Sequence, residues 1–271
     1  MPSLPSLTTA DGVRLAAVHL PRTGPASPHA ADLEVAVVVA HGFGGGGARP
    51  AVQAVARGLA PHAGVVLPDL RGHGMSGGAC TLGDQEVLDV DTAVAAARRL
   101  GYRRVVTCGW SMGGSAVLRH AALVGRAVHG HPVAAPVDAV VSVSATSRWF
   151  VRDTAPLRRL HWLIECRLGR LTARRLLGVR IAYGSWPVVP ESPVEVVGRI
   201  APTPLLLVHG DRDAYFPVEH PLALAAAAGD PSELWLLDGF GHAEKAAGSE
   251  LLDRIGRHLP VLLSRTPAGR S

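Results

Sequence analysis

The sequence predicts an α/β protein in which a mostly parallel central sheet of about eight strands carries helices on both faces. Three observations lead there. Short, unbroken apolar runs recur along the chain, as they do in strands covered on both sides. Segments of helical length alternate with them, which is the rhythm of parallel crossovers. With 271 residues and 48% apolar content, the chain can bury one full core.

The N-terminal stretch SLTTADGVRLAAVHLP reads as a hairpin, with Asp11 and Gly12 supplying a turn that needs positive φ. A Pro/Ala/His linker, PRTGPASPHAADLE, follows. Buried strands are then expected at 35–40, 64–68, 104–108, 139–145, 204–210 and 233–239. Helices are expected near 49–60, 85–100, 113–127, 217–228 and 243–264. From 146 to 198 the rhythm breaks: Arg-rich helical segments and a Pro-rich return, GSWPVVPESP, contain no strand candidate. The expected division is therefore a core of 1–145 and 199–271 with a helical cap insertion at 146–198. An insertion there lies over the carboxyl ends of the strands, where open α/β sheets bind ligands.

Composition narrows the class. The N-terminus has no basic segment followed by an apolar one, and no apolar run approaches the ~18 residues that span a bilayer, so a cytoplasmic location is the expectation. Cys80, Cys108 and Cys166 are too few and too irregular for a disulfide framework or a zinc site. Net charge is +5, and Lys245 is the only lysine. Between Ala145 and Ser185 nine arginines face only Asp153 and Glu165. That excess could attract an anionic partner or form a solvated helical face.

The chemistry is carried by Gly109-Trp110-Ser111-Met112-Gly113, a G-x-S-x-G sequence placed between a strand and a helix. A turn this tight needs small residues two positions before and after the serine, and it projects the hydroxyl above the sheet. A serine hydroxyl needs a base, and a histidine base needs an acid to fix its tautomer. Asp213 in HGDRDAYFP and His242 in GFGHAE each follow a predicted strand, in that order. Two amides should hold the developing oxyanion: Met112, at the start of the helix, and Phe43, in the loop HGFGGGG.

Together the segments HGFGG, PDLRGHGMSGG, GWSMGG, HGDRDAYFP and GFGH resemble, in order and spacing, the α/β-hydrolase superfamily of serine esterase and lipase type. The resemblance spans about four fifths of the chain. It implies the α/β-hydrolase fold, with Ser111 as nucleophile, Asp213 as acid, His242 as base and the Phe43 and Met112 amides as oxyanion hole. It implies a cap that shapes the substrate pocket, and no metal or organic cofactor. The expected reaction is cleavage of carboxylic esters of short to medium acyl chain, with a small-molecule substrate and no nucleic-acid partner. Thioester cleavage, acyl transfer, cofactor-free perhydrolysis and a non-catalytic ligand receptor remain alternatives.

Five aromatics in the insertion, Trp149, Phe150, Trp162, Tyr183 and Trp186, are candidates for an apolar acyl pocket or for packing the cap to the core. Asp211 is a local rival to Asp213. Asp69, His41, His73 and His209 read as loop organisers. His129 and His131 look like half a metal site without a third ligand. Gly42 to Gly47 also satisfies G-x-G-x-x-G, with Asp69 at about the dinucleotide-binding distance, but that reading leaves Ser111, Asp213 and His242 unexplained.

Overall fold

The computed structural model describes residues 4, 6–24, 35–182, 186 and 188–265. Most of the expected linker, and Tyr183, lie outside the described residues. No helix among the described residues is long and apolar enough to cross a membrane.

The N-terminal hairpin forms, with Gly12 at φ +82, but it is cut short. Strands β1 (Leu7–Thr8) and β2 (Arg14–Leu15) pair with each other alone, and only β3 (Ala17–Leu20) joins the main sheet. Ala16 makes the break by donating its amide to the Ser76 hydroxyl and accepting from the Asp69 amide. Among the described residues the main sheet therefore has seven strands, in line with the expected about eight.

The remaining strands are β4 (Val35–Ala40), β5 (Gly64–Pro68), β6 (Arg104–Trp110), the short pair β7 (Ala127–Val128) and β8 (His131–Pro132), β9 (Ala139–Val143), β10 (Leu205–Gly210) and β11 (Ser232–Leu237). The order across the main sheet is β11-β10-β9-β6-β4-β5-β3, parallel except for β3. Alternation explains why the runs are apolar throughout. Val37, Val39, Val106, Cys108, Trp110, Val141 and Val143 face one core cluster, while Ala36, Val38, Ala40, Val105 and Val140 face the other.

Helices α1 (Pro50–Leu59), α2 (Glu86–Arg99), α3 (Met112–Leu123), α4 (Ala155–Glu165), α5 (Arg167–Thr172), α6 (Pro193–Val196), α7 (Glu219–Ala227), α8 (Ala243–Ala246) and α9 (Ser249–Ser264) complete the chain. Helix α1 begins with proline at its first turn and buries Val52, Val55, Ala56 and Leu59, a single stripe at i, i+3, i+4 and i+7. It covers the first cluster together with α9, whereas α2, α3 and α7 cover the second. The helix expected at 243–264 is divided: α8 and α9 are separate, joined through Ala247 and Gly248.

Within 146–198 the described residues form α4, α5, a five-residue π-helical turn, Ala173–Leu177, and the short α6. Cys166, extended at ψ 144, ends α4 and caps α5 by accepting the Gly169 amide on its sulfur. Both ends of the segment are tied to the core. Arg180 bonds to the Gly78 carbonyl, and Ile181 bridges Cys80. Ser147 bonds to the His220 ring and Arg119 to the Glu191 carbonyl, while inside the segment the Trp149 indole bonds to the Pro190 carbonyl.

The loop after β5 is set by a buried charge. Arg71 donates to Asp89 from its backbone amide (2.7 Å) and Nε (2.9 Å), and its remaining nitrogens reach Asp11 and Gln85. Removing one partner from such a pair strands the other in a dry site. Arg71→Met should therefore lower unfolding free energy by about 3–5 kcal/mol. Combining it with Asp89→Asn, which keeps an acceptor for the residue 71 amide, should recover more than half of the loss in denaturant titrations.

Candidate active site

Strand order places the loops. The chain runs from β4 out to β5 and then crosses back to β6, so the loops after β4 and β6 emerge side by side where the direction of winding reverses. A crevice opens at such a point. Gly113 allows the closeness: a Cβ there would lie 2.1 Å from the Ala40 carbonyl oxygen. Gly109 does the same within the turn, where a Cβ would lie 2.2 Å from the Gly113 oxygen.

Between them Ser111 sits at φ +52, ψ −116, a region L-residues avoid. Its amide is held by the Val143 carbonyl at 2.8 Å, and its side chain makes no helix-capping bond although it precedes α3. The hydroxyl points to His242, with Nε2 2.9 Å from Oγ. His242 Nδ1 lies 2.7 Å from Asp213 Oδ2. The structure thus joins the three residues singled out from the sequence, from the ends of β6, β10 and β11.

Asp213 is buried and its second oxygen accepts the amides of Tyr215 (2.8 Å) and Phe216 (3.0 Å). Burial would raise its carboxyl, but the bond and charge of His242 together with those two amides outweigh it and hold the group below the ordinary carboxylate value. The His242 ring is clamped between Tyr215, at 4.3 Å between centroids, and Phe216, edge-on at 5.6 Å. Asp211 serves elsewhere, accepting the Gly239 amide at 2.7 Å.

Across the crevice, the Phe43 and Met112 amides donate to no group among the described residues. Their neighbours are spent: Gly42 donates to Glu244 and Gly44 to His73. Asp69 accepts the Gly47 and Met75 amides, so it organises the glycine loop. His41 accepts the Leu70 amide on Nε2 (3.0 Å) and faces the Gly42 carbonyl with Nδ1 (2.8 Å). Its burial and the neighbouring His73 push its pKa down to about 3, so it is a neutral brace. His209 bonds to the Phe216 carbonyl, and His129 to Asp84.

Above Ser111 lies an apolar cavity of about 120 Å³. Trp149, Phe150 and Trp186 line it as expected, along with Phe43 and Met112. Trp162 does not. The inward stripe of α4 is Leu157, Leu160, His161 and Ile164, at i, i+3, i+4 and i+7; Trp162 lies off that stripe and is 47% exposed. A larger neighbouring cavity, about 730 Å³, shares Phe150 and Trp186 but is not lined by Ser111. Sequence reasoning missed Phe216 and Leu82 in the lining, and the carboxylate of Glu244 on the loop after β4. The α4 stripe was readable as a period; the Glu244 contact spans 202 positions and had no local signal.

The family described as alpha/beta hydrolase fold matches residues 35–164, from β4 to near the end of α4. The chain has the α/β-hydrolase fold. Solved structures extend the likeness over nearly its full length. An esterase of Pyrococcus furiosus is 20% identical, with 96% of this chain and 91% of that one covered and a TM-score of 0.68. The α/β-hydrolase GrgF of Penicillium sp. sh18 is 20% identical over 99% and 100% of the two chains, with a TM-score of 0.67. Est1E of Butyrivibrio proteoclasticus, solved with ferulic acid, is 18% identical over 95% and 98%, with a TM-score of 0.62. No curated protein matches the chain by sequence.

The protein holds several histidines neutral by burial. His41 is held to about 3 and His220 to about 4, and His73 and His209 are also lowered, burial being the first cause in each. The unfolded chain takes up protons at these sites below about 6.5, which the native state excludes. Their stabilisation is complete above that value and is lost as pH falls toward the depressed values. Asp89, pushed up to about 7 by burial, acts in the opposite sense as a single group. The melting temperature should fall steadily between about pH 6.5 and 4, and His41→Gln should flatten the fall.

Proposed function

We propose that the protein is a serine hydrolase that cleaves carboxylic esters through an acyl-enzyme. The observation that carries this reading is the unbroken hydrogen-bonded chain Ser111, His242, Asp213 facing two amides with no other partner among the described residues. The acid orients the imidazole, and the buried charge of Asp213 stabilises the imidazolium once it forms.

In the first step His242 takes the Ser111 proton as Oγ attacks the ester carbonyl. The Phe43 and Met112 amides receive the resulting oxyanion at the N-terminal end of α3, where the helix dipole adds to them. Collapse expels the alcohol, which His242 protonates. Water, deprotonated by the same imidazole, then attacks the acyl-enzyme and regenerates the serine.

Residues 146–198 act in this reading as a cap whose α4 stripe and aromatics form the acyl wall. A dry apolar cavity of ~150 Å³ holds a benzene-sized molecule. The cavity here, about 120 Å³, supports acyl groups at the short end of the short-to-medium range.

With p-nitrophenyl esters from two to ten carbons, kcat/KM should peak at about four to six carbons and fall beyond, because a longer chain must displace the α4 stripe or the indoles of Trp149 and Trp186. Ser111→Ala and His242→Gln should each lower kcat by about 10⁴–10⁶-fold, and Asp213→Asn by about 10⁴-fold. A fluorophosphonate should label the wild type at Ser111 and leave the alanine variant untouched. Wild-type turnover no greater than that of Ser111→Ala across esters and thioesters would rule out hydrolysis and leave the receptor reading.

A further inference from the structure

Glu244 lies two residues beyond His242, in the first turn of α8, and its Oε1 accepts the Gly42 amide at 2.6 Å. Ala243 between them is left-handed at φ +52, with its amide held by the Ser144 hydroxyl. One three-residue segment thus delivers an imidazole to Ser111 and a carboxylate to the loop bearing Phe43.

What that carboxylate controls follows from peptide planarity. The Phe43 N–H belongs to the same rigid plane as the Gly42 carbonyl and points opposite to it. That carbonyl is held by the His41 ring at 2.8 Å and by the Gly45 amide at 2.9 Å. The preceding plane, which carries the Gly42 N–H, is held by Glu244. A glycine rotates between two such planes at little steric cost, so both must be fixed if the Phe43 N–H is to keep one direction. A stiffer residue would crowd the position: a Cβ on Gly42 would stand 3.2 Å from Glu244 Oε2 and 3.2 Å from the Ser111 Cβ.

Holding a carboxyl here is unfavourable in itself. Burial raises its pKa, and the Gly42 amide with the nearby charges of His242 and Lys245 only partly offset the desolvation. The Cys108 thiol, on β6, also faces the charge and is pushed up to about 12, by its own burial first.

We propose that Glu244 is a positioning residue of the oxyanion site: by capturing the Gly42 amide it fixes the direction of the Phe43 N–H and couples that donor to the loop carrying His242. The inference rests on the ester-hydrolase reading above and adds a residue that the reading does not need for its chemistry.

The test compares Glu244→Gln, which keeps an acceptor oxygen, with Glu244→Met, which keeps the volume and removes the acceptor. Gln should stay within about threefold of wild type. Met should lose ~10²-fold in kcat, the scale of a misplaced or missing oxyanion donor, with KM changed less than about threefold. Its affinity for a trifluoromethyl ketone, which adds to the serine as an oxyanion, should fall in parallel. A Met variant within threefold of wild type, a loss expressed in KM alone, or a Met variant that fails to fold by circular dichroism while Gln folds would overturn the proposal. If wild type turns over no ester above Ser111→Ala, the hydrolase reading is what fails. The rate of fluorophosphonate labelling of Ser111 then supplies the same comparison, and equal labelling of Met and wild type overturns the positioning role.

Discussion

A serine held at φ +52 and ψ −116 is the constraint around which this molecule is arranged. That backbone state costs on the order of 1–3 kcal/mol and persists only where its surroundings over-determine it. Here they do so from both sides. The Val143 carbonyl fixes the Ser111 amide, and Gly109 and Gly113 admit backbone oxygens to distances no side chain would allow. The turn frees the hydroxyl from the helix it precedes. A serine in ordinary N-cap geometry would use its oxygen to cap α3; this one is left to meet an imidazole.

Charge around the crevice is handled in two ways. His41, His73, His209 and His220 are kept neutral by burial and used as fixed donors and acceptors, so they organise loops without adding positive charge near the imidazole of His242. The negative groups are Asp213 and Glu244. Asp213 is stabilised as a carboxylate by two amides and by His242, which lets it support an imidazolium without taking its proton. Glu244 is spent on a single amide of the neighbouring loop. Most polar atoms of the crevice thus have an assigned partner, which makes the two idle amides of Phe43 and Met112 stand out.

Much of this was legible in the chain because its signals are local. The apolar runs at 35–40 and 64–68 are strands over those same residues, since a strand covered on both faces needs no polar alternation to interrupt it. Ser111, Asp213 and His242 were findable because each lies just past a strand, where loop position follows from topology. Long-range facts were not. Leu7–Thr8 stays out of the main sheet because Ala16 is captured by Ser76 and Asp69, sixty and fifty-three positions away along the chain. Helix 243–264 divides because Glu244 and Ala243 are committed to Gly42 and Ser144, and the apolar periodicity of the stretch carries no trace of either bond. Trp162 was grouped with the pocket by composition, although its place off the stripe of Leu157, Leu160, His161 and Ile164 is a matter of helical period alone.

The same helix relates the insertion to selectivity. α4 buries only Leu157 fully and packs chiefly on α5, while the flanks of the segment are pinned through Arg180, Arg119 and Ser147. Pinned flanks with a lightly packed middle make α4 the adjustable wall of the cavity. Displacing it breaks few core contacts, whereas moving Phe216 disturbs the Asp213 loop and the clamp on His242. Enlarging the cavity is therefore least costly through Leu160 or Ile164. Trp149 and Trp186 are more constrained, because their indole nitrogens are bonded to the Pro190 and Thr81 carbonyls, part-buried bonds that a smaller side chain would lose. Selectivity can thus drift along one face of α4 while the chain from Ser111 to Asp213 stays in place.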